Sequence, residues 1–556
     1  MLVLILLLLA SDIQGRENSN AQTNVLFIIY DDLRPELSIY GKDHMVTPNF
    51  ERLAKRSVVF DHAYCQIAVC NPSRGSLLTG LRPDRVNMYA FQSDFRPHMA
   101  FPTRLAESGY RTGGVGKIFH WDSDDPLLWT HGHSYHEDWY EYQNEEVGLY
   151  MNASTQPDRV RKEEDFRDYM MTTDSIKMLE QFAASGDYFM LGIGYKLPHL
   201  ALHVPYRHWD MYRKMGNVWD VDKKELRFPK SSPAVAYRCC ADQSFEYING
   251  EGEDRTNKRL RLGDMHATLP QDMHNELMWA YSAAVSYMDD QLGRVLDAVD
   301  RLKLWNNLTI VLTADHGMHN GEKGLWEKWT LFDESTKVPL IISHPESTMR
   351  GQHYEYPVEL IDVFPTVVDL ANPPETSRKS TRCGGREVVC KPLQGQSLAP
   401  IIFARNATAK LFKTFAISQS FRCADKGKLE QLRTREKESV LFHTELVVSP
   451  WIDCIESASS IDKNTTVVSM GYSMRTKSYR YTAWYHFDET VRLPILTSPP
   501  VEEELYDHRG ETLSSFGHGE LHNVAWKTPF IPIKRRLKEH LDEYLSTLQS
   551  KNPKRY

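Results

Sequence analysis

Several marks of common protein classes are absent from this sequence. Beyond residue 10, no apolar run approaches the roughly 20 residues that a membrane-spanning helix requires. The sequence has no internal repeat and no low-complexity tract, which argues against solenoid and disordered proteins. Basic residues do not exceed acidic ones, 66 against 74, and the net charge of −8 does not favour binding to nucleic acid or anionic membranes. An anionic substrate would therefore require a local basic pocket.

The N-terminal apolar segment, residues 2–10, has the length of a secretory signal and is too short for a membrane span. We expect a signal peptide over approximately residues 1–20 and a mature protein in the secretory pathway, either lysosomal or secreted. Asn-x-Ser/Thr sequons agree with this route. The predicted glycosylation sites are Asn152, Asn307, Asn406 and Asn464.

Cysteine is sparse, with eight residues in a chain of 556. In an oxidising compartment most of them should pair. The favoured disulfide joins Cys383 to Cys390 across a short loop in which two glycines allow a turn. If Cys70 is reserved for chemistry, an odd number remains, and Cys65 is the residue that we expect to be unpaired.

Buried strands are predicted at four places, and each delivers polar side chains at its carboxyl end. Helical patterns at 173–185 and 273–302 supply crossovers between parallel strands. Ligands of open α/β sheets bind at the carboxyl ends of the strands, so these side chains should converge on one crevice. The strand-end residues are Asp31 and Asp32, Lys117 and His120, Lys196 and His199, and Asp315 and His316.

The carboxylates among these residues indicate a metal site. Asp31 and Asp32 are adjacent and would repel each other unless a cation lay between them. With Asp315 they offer hard oxygen ligands, which suit Ca²⁺ or Mg²⁺ better than Zn²⁺. His316 and a group at Cys70 could complete a shell of six or more ligands, which favours Ca²⁺, with Mg²⁺ as the alternative.

The stretch CNPSRGSLLTG, residues 70–80, predicts a turn that feeds a helix. Pro72 suits the first turn of a helix, and Ser73 can satisfy a free backbone N–H there. Cys70 and Arg74 would then lie at a helix N-terminus, where backbone N–H groups favour an anion. A structural cysteine at a helix start is the competing interpretation.

This stretch resembles the sulfatase signature C-x-P-S-R-x-x-x-L-T-G, and the likeness extends over nearly the whole mature chain. Within the sulfatases it is greatest to the subgroup that acts on 2-sulfated iduronate. The resemblance implies an alkaline-phosphatase-like α/β fold, with a large mixed, mostly parallel sheet sandwiched by helices. The segments that carry it are VLFIIYDDLRPELSIYG, AVCNPSRGSLLTGLRPD, GGVGKIFH, YSAAVSYMDDQLGRVL, GEKGLWEKWTLFD and MGYSMRTKSYRYTAWY.

The resemblance also implies roles for individual residues. Cys70 would be converted to formylglycine by a formylglycine-generating enzyme and would bind Ca²⁺ with the strand-end ligands. The substrate would be a sulfated glycosaminoglycan oligosaccharide, with Arg74 orienting the modified residue. The implied metal ligands are Asp31, Asp32, Cys70, Asp315 and His316, and the implied residues around the sulfate are Lys117, His120, His199 and Lys328.

Two positions depart from the pattern of the iduronate subgroup. The sequence has Lys196-Leu197-Pro198-His199 where His-Lys-Pro-His is usual, and it has Met318 where Trp is frequent. These departures bear on the sulfated sugar and leave the sulfatase residues intact. Lys196 is our candidate for a substrate contact.

The C-terminal part of the chain reads as short alternating strands followed by a helix, which predicts a smaller antiparallel sheet. Arg475, and beside it Lys477, could reach the pocket from this sheet and meet a sugar carboxylate. The expected division of the chain is a signal peptide at about 1–20, a catalytic domain at 21–375, a connector at 376–410 and a C-terminal subdomain at 411–556.

Three alternatives remain open at this point. One is a sulfatase for another glycan or for an aryl sulfate. Another is a phosphodiesterase of the alkaline phosphatase superfamily, which would require a Ser or Thr nucleophile and a second metal cluster. The third is a non-catalytic glycan-binding homologue, expected if Cys70 is never modified.

Overall fold

The structure is a computed structural model that describes most of the chain. The described residues are 21–89, 94, 96–120, 128–136, 162–200, 202–216, 226–237, 271–373, 391–404, 413–425, 465–488, 493–515 and 518–549. The signal peptide, the Cys383–Cys390 disulfide and the sequons at Asn152, Asn406 and Asn464 lie outside these ranges. Asn307 is described, and its side chain is exposed.

Strands and helices alternate through the first two thirds of the chain. The strands are β1 (Asn24–Asp31), β2 (Ser57–Tyr64), β3 (Arg111–Gly116), β4 (His133–Ser134), β5 (Phe189–Pro198), β6 (Leu308–Ala314), β7 (His319–Asn320), β8 (Trp326–Glu327), β9 (Lys337–Ser343), β10 (Gln352–Tyr354), β11 (Val358–Glu359), β12 (Phe415–Asp425), β13 (Thr465–Thr476), β14 (Tyr479–Asp488), β15 (Leu493–Pro494) and β16 (Glu502–Asp507). The helices are α1 (Pro48–Ala54), α2 (Cys70–Thr79), α3 (Pro83–Val86), α4 (Phe101–Glu107), α5 (Arg167–Ser185), α6 (Tyr206–Met215), α7 (Gln271–Arg301), α8 (Asp333–Thr336), α9 (Val363–Ala371), α10 (Ala399–Ile402) and α11 (Ile531–Gln549).

The large sheet has β1 at its centre, parallel to β5 on one side and to β6 on the other. The described strands follow the order β10-β2-β9-β6-β1-β5-β3-β4, with β11 paired to β2. Strand β9 runs antiparallel to both β2 and β6, so the sheet is mixed. The predicted fold class, a large and mostly parallel sheet between helices, is confirmed.

Helices cover both faces of this sheet, as the continuously apolar sequence of β1 requires. Phe27 packs edge-on against Phe101 of α4, with ring centroids 5.1 Å apart. Tyr30 lies three residues further on and therefore points to the other face. There it contacts Phe50 of α1 and stacks on Tyr195. The carboxyl end of β1 is thus enclosed by protein on both sides.

A smaller antiparallel sheet follows, in which β13 pairs with β12 and β14, and β14 pairs with β16. Helix α11 packs on it through Leu541 and Leu545. The same apolar cluster includes Ile67 and Val69, from the loop that leads into α2. The small sheet therefore packs against the segment that precedes Cys70. Among the described residues, no helix is both long enough and apolar enough to cross a membrane.

Close packing of β5 on the end of β3 gives a stability prediction for Gly194→Ala. A Cβ at Gly194 would collide with the backbone carbonyl of Lys117, whose N–H donates to the Gly194 carbonyl at 2.7 Å. Because backbone cannot rotate away, we expect a loss of about 3 kcal/mol in the free energy of unfolding. Gly186→Ala is the control, since its Cβ has open space and only its left-handed backbone costs about 1 kcal/mol. Urea unfolding of both variants measures the two losses in the free energy of unfolding. Equal losses would contradict the expected collision.

Candidate active site

Cys70 is the first residue of α2 and is buried. The whole helix is buried, and its first turn contains Pro72 and Ser73 as the sequence predicts. The Ser73 hydroxyl donates to the backbone carbonyl of Asp315, which ties the start of α2 to the end of β6. The structure has Cys70 and Cys65 as unpaired thiols. Burial, with Asp31 nearby, raises the pKa of the Cys70 thiol.

Three carboxylates from two parallel strands meet beside this helix start. Asp31 ends β1, Asp32 follows it in a left-handed conformation with φ of 64°, and Asp315 follows β6. The N–H of Asp32 donates to Asp315 Oδ1 at 3.1 Å. Possible ligand atoms of Asp31, Cys70, Asp315 and His316 all lie within 4.8 Å of one another. The predicted convergence of strand ends is therefore present.

The donor set of this cluster fits a hard divalent cation. Asp31 Oδ1 is buried and has no hydrogen-bond partner among the described residues. Burial raises the pKa of Asp32, and burial together with Asp31 raises that of Asp315 to about 6. Negative charge is thus crowded here, and a bound dication would relieve it. We infer that these side chains could hold Ca²⁺ or Mg²⁺.

His316 is oriented as a metal ligand would be. Its Nδ1 lies 3.0 Å from the carbonyl oxygen of Gly317, so Nδ1 carries the proton and Nε2 keeps a free lone pair. Nε2 lies 3.3 Å from Cys70 Sγ. Burial and Lys328 lower the pKa of His316 to about 3, so the ring is neutral near neutral pH.

Three cationic side chains surround the same point. Lys328 Nζ lies 2.7 Å from Asp32 Oδ1 and 3.2 Å from Cys70 Sγ. Lys117 pairs with Asp31, and Arg74 Nε donates to Asp315 Oδ2 at 2.9 Å. Burial would raise the pKa of Asp31, but these cations and His199 together hold it well below its usual value. The pocket therefore has positive groups placed to receive an oxyanion.

Two further histidines lie beside the cations. Burial, followed by Lys117, lowers the pKa of His120 to about 2. The pKa of His199 is also well below its usual value, through burial and then Lys328. His199 Nδ1 contacts the carbonyl of Leu200 at 2.6 Å, which leaves Nε2 as the free nitrogen. Neutral histidines in this position can exchange a proton with a leaving group.

The structure brings most of the predicted site residues together and places two elsewhere. Lys196 is nearly buried and is close enough to His199 to help lower its pKa. Arg475 instead lies in a buried cluster, with Nε 3.3 Å from Asp333 Oδ1 and its guanidinium over the ring of Tyr64. Lys477 is exposed and pairs with Glu355. A substrate contact by Arg475 or Lys477 stays a prediction that these contacts do not support.

Tyr281 of α7 is a site residue that sequence reasoning missed. Its hydroxyl donates to the backbone carbonyl of Asp32 at 2.9 Å and accepts the N–H of Arg34 at 3.1 Å. The Arg34 guanidinium in turn donates to the Met318 carbonyl and to Glu322, which follow Asp315 and His316 in the chain. These contacts fix the strained turn at Asp32. A tyrosine in an amphipathic helix gives no sequence signal of this role.

Comparisons with known proteins show which family the chain resembles. A family model described as Sulfatase matches residues 23–373. Iduronate 2-sulfatase of Mus musculus is 32% identical over 528 residues, which cover 86% of this chain and 88% of that protein. The protein of the same name from Homo sapiens is 31% identical over 499 residues, with the same shares covered.

Solved structures share the fold at lower identity. One, in complex with its substrate D-glucosamine-2-N,6-O-disulfate, has a TM-score of 0.65 at 19% identity and covers 96% of this chain and 99% of its own. A phosphonate monoester hydrolase from Silicibacter pomeroyi has a TM-score of 0.62 at 21% identity, covering 94% and 95%. The fold alone therefore does not separate sulfate from phosphonate chemistry.

Proposed function

The chain belongs to the sulfatase family, and we propose that it removes the 2-O-sulfate from terminal iduronate of heparan and dermatan sulfate. The observation that carries the proposal is the position of Cys70, at a buried helix start between metal-type ligands and three cations. The names of the mouse and human relatives support the choice of sugar. A sulfatase for another glycan or for an aryl sulfate is the nearest alternative.

We propose further that Cys70 is converted to formylglycine during maturation by a formylglycine-generating enzyme. The hydrated aldehyde would supply one hydroxyl to attack sulfur and a second to allow release of sulfate. Asp31, Asp32, Asp315 and His316 would hold Ca²⁺ together with residue 70, since carboxylate oxygens predominate in that set. When bound, the metal would supply Lewis-acid stabilisation of the oxyanion.

The other residues of the pocket would then act on the sulfate and the leaving oxygen. Arg74 would orient residue 70 through its fixed guanidinium, which also donates to the Ile118 carbonyl at 3.1 Å. Lys117 and Lys328 would stabilise negative charge as it develops on the sulfate oxygens. His199 and His120 are our candidates for proton transfer at the leaving oxygen. Because both rings are neutral near neutral pH, either would first take up a proton from solvent, which the charge of an anionic sulfate ester beside it would favour. Lys196 would contact the sugar carboxylate.

We also place the enzyme in the secretory pathway, as a lysosomal or secreted protein, on the basis of its N-terminal segment and sequons. The exposed side chain of Asn307 is accessible for glycosylation. A lysosomal or extracellular location fits a substrate that is a sulfated polysaccharide.

Sulfate release from a substrate panel tests the proposed specificity. The panel contains a disaccharide ended by 2-sulfated iduronate, N-sulfated glucosamine, 6-sulfated glucosamine, an aryl sulfate and a phosphonate monoester. We expect the iduronate substrate to have the highest kcat/KM, by about tenfold or more over each competitor, the discrimination that one well-placed polar contact provides.

Each other outcome of the substrate panel would lead to a different conclusion about the substrate. A preference for a glucosamine sulfate or an aryl sulfate would overturn the iduronate assignment and keep the sulfatase. Turnover of the phosphonate ester alone would favour the chemistry of the structural neighbour from Silicibacter pomeroyi. Lys196→Ala should raise KM for the iduronate substrate by a larger factor than KM for the aryl sulfate, because only the former carries a carboxylate.

A further inference from the structure

We propose that β12 of the C-terminal sheet positions Lys328, acting through Ser420 and the backbone of Trp329. The kinetic part of this inference rests on the proposed sulfatase function. Lys328 contacts both Asp32 and Cys70, so a small displacement of its backbone would move its ammonium group away from the reacting centre.

Trp329 has a backbone conformation that a tryptophan rarely adopts. Its φ is 77°, in the left-handed region where a side chain is unfavourable. Strain of this kind persists only where surrounding contacts hold it. Trp329 follows Lys328 directly. The backbone conformation at Trp329 therefore affects the direction in which the Lys328 side chain points.

Contacts to both sides of Trp329 supply the restraint. Its N–H donates to the carbonyl of Ala68 at 3.2 Å. Its carbonyl accepts the Ser420 hydroxyl at 2.8 Å and Nη1 of Arg422 at 3.5 Å. Its indole packs edge-on against Phe421, with centroids 6.2 Å apart. Three consecutive residues of β12 therefore contact Trp329, two at its carbonyl and one at its indole.

Arg422 is placed as a backbone support. It is buried, and its hydrogen bonds go to oxygens of neutral groups, including the carbonyls of Val235 and Phe421 at 2.9 Å and the Ser420 hydroxyl at 3.0 Å. Burial lowers its pKa to about 10. A guanidinium in this position orients the Ser420 hydroxyl, so that its proton points to the Trp329 carbonyl.

The same strand also holds the loop before Cys70. The Ser418 hydroxyl donates to the Cys65 carbonyl at 2.6 Å, and the N–H of Gln419 donates to the Gln66 carbonyl at 2.7 Å. One strand thus contacts the two segments that carry Cys70 and Lys328. We infer that β12 sets the spacing between them, which makes the C-terminal sheet part of the catalytic apparatus.

Ser420→Ala tests the inference in the Ca²⁺-loaded full-length enzyme. We expect kcat/KM for sulfate release to fall about tenfold, the effect of one lost hydrogen bond on a positioned group. Ser420→Thr keeps the hydroxyl and should restore most of the activity. Ser473→Ala is the matched control, because Ser473 is equally buried in the same sheet but bonds Arg480 and Thr482.

A double-mutant cycle separates positioning from general stability. On a Lys328→Ala background, Ser420→Ala should have little further effect, because the group that it positions is gone. The same tenfold loss on both backgrounds would overturn the inference. Equal activity of Ser420→Ala and the parent would overturn it as well.

Crystal structures give a readout that does not depend on turnover. In Ser420→Ala we expect the Trp329 φ to become negative and Lys328 Nζ to move by about 1 Å or more from residue 70, a displacement that is enough to impair catalysis. If the parent releases no sulfate from any ester, the proposed function fails. The crystal structures of the parent and of Ser420→Ala would still show whether Ser420 positions Lys328. An unchanged Lys328 in the variant would contradict it.

Discussion

Replacing Cys70 with serine is expected to reduce kcat for sulfate release by a factor on the order of 10⁴ or more, the scale of losing a catalytic nucleophile. In the proposed mechanism, a serine at this position would keep one hydroxyl but would not be converted to an aldehyde by the cysteine-specific route, and it would lack the second oxygen that allows release of sulfate. Initial rates with the 2-sulfated iduronate disaccharide measure the loss.

Cys65 provides a matched control for this substitution. It is also a buried unpaired thiol, five residues before Cys70, and its Sγ contacts the Ser335 carbonyl at 3.9 Å instead of the carboxylate cluster. Cys65→Ala should keep nearly full activity if it folds, which its thermal unfolding midpoint verifies. Equal activity in Cys70→Ser and Cys65→Ala would show that residue 70 is not the nucleophile.

Asp315→Asn is expected to lower both Ca²⁺ affinity and activity by at least about 100-fold, since changes even beyond the direct ligands of a metal cost 10–100-fold. Asp315 Oδ1 accepts the N–H groups of Asp32 and His316, and Oδ2 accepts Nε of Arg74. An amide nitrogen would face one of these donors, so the substitution loses a metal ligand and creates a repulsive contact.

Calorimetric titration with Ca²⁺ and assays of sulfate release are the measurements for Asp315→Asn. Asp289→Asn is its control, because Asp289 is also a buried aspartate but caps α1 by accepting the N–H groups of Asn49 and Phe50. That control should lose stability and retain Ca²⁺ affinity. Full activity of metal-free Asp315→Asn would contradict the metal site.

The candidate active site was largely predictable because its residues follow strong local signals. Asp31 ends a continuously apolar run, and Asp315 follows a run in which only threonines interrupt the apolar residues. Both runs predict buried strands, and parallel strands bring such ends together. Cys70 and Arg74 sit in a turn-to-helix pattern whose chemistry is visible in the sequence. Lys328 lies in no such pattern, and only the resemblance to sulfatases indicated it.

The supporting contacts were not predictable, because they join residues far apart in the chain. Ser420 meets Trp329 across 91 positions, and Tyr281 meets Asp32 across 249. A serine in a strand and a tyrosine in a helix are ordinary by pattern, and their roles depend on which backbone groups need a partner. The sequence pattern also does not reveal that Arg475 contacts a buried carboxylate, that of Asp333.

Strand β9 shows a similar limit at the level of the fold. Its apolar sequence indicates a buried strand, but whether it runs parallel or antiparallel depends on the path of the chain before it. The short hairpin of β7 and β8 and helix α8 return the chain beside β6 without a full crossover, so β9 pairs antiparallel.

In our proposal, Cys70 is modified and performs sulfate ester hydrolysis. Peptide mass spectrometry of the segment around Cys70, on protein produced through the secretory pathway and assayed for sulfate release in the same preparation, tests it most directly. We expect the mass of the aldehyde at residue 70 in the active protein. An unmodified thiol at that residue would contradict this proposal, whether the protein releases sulfate without the aldehyde or releases none from any ester of the panel.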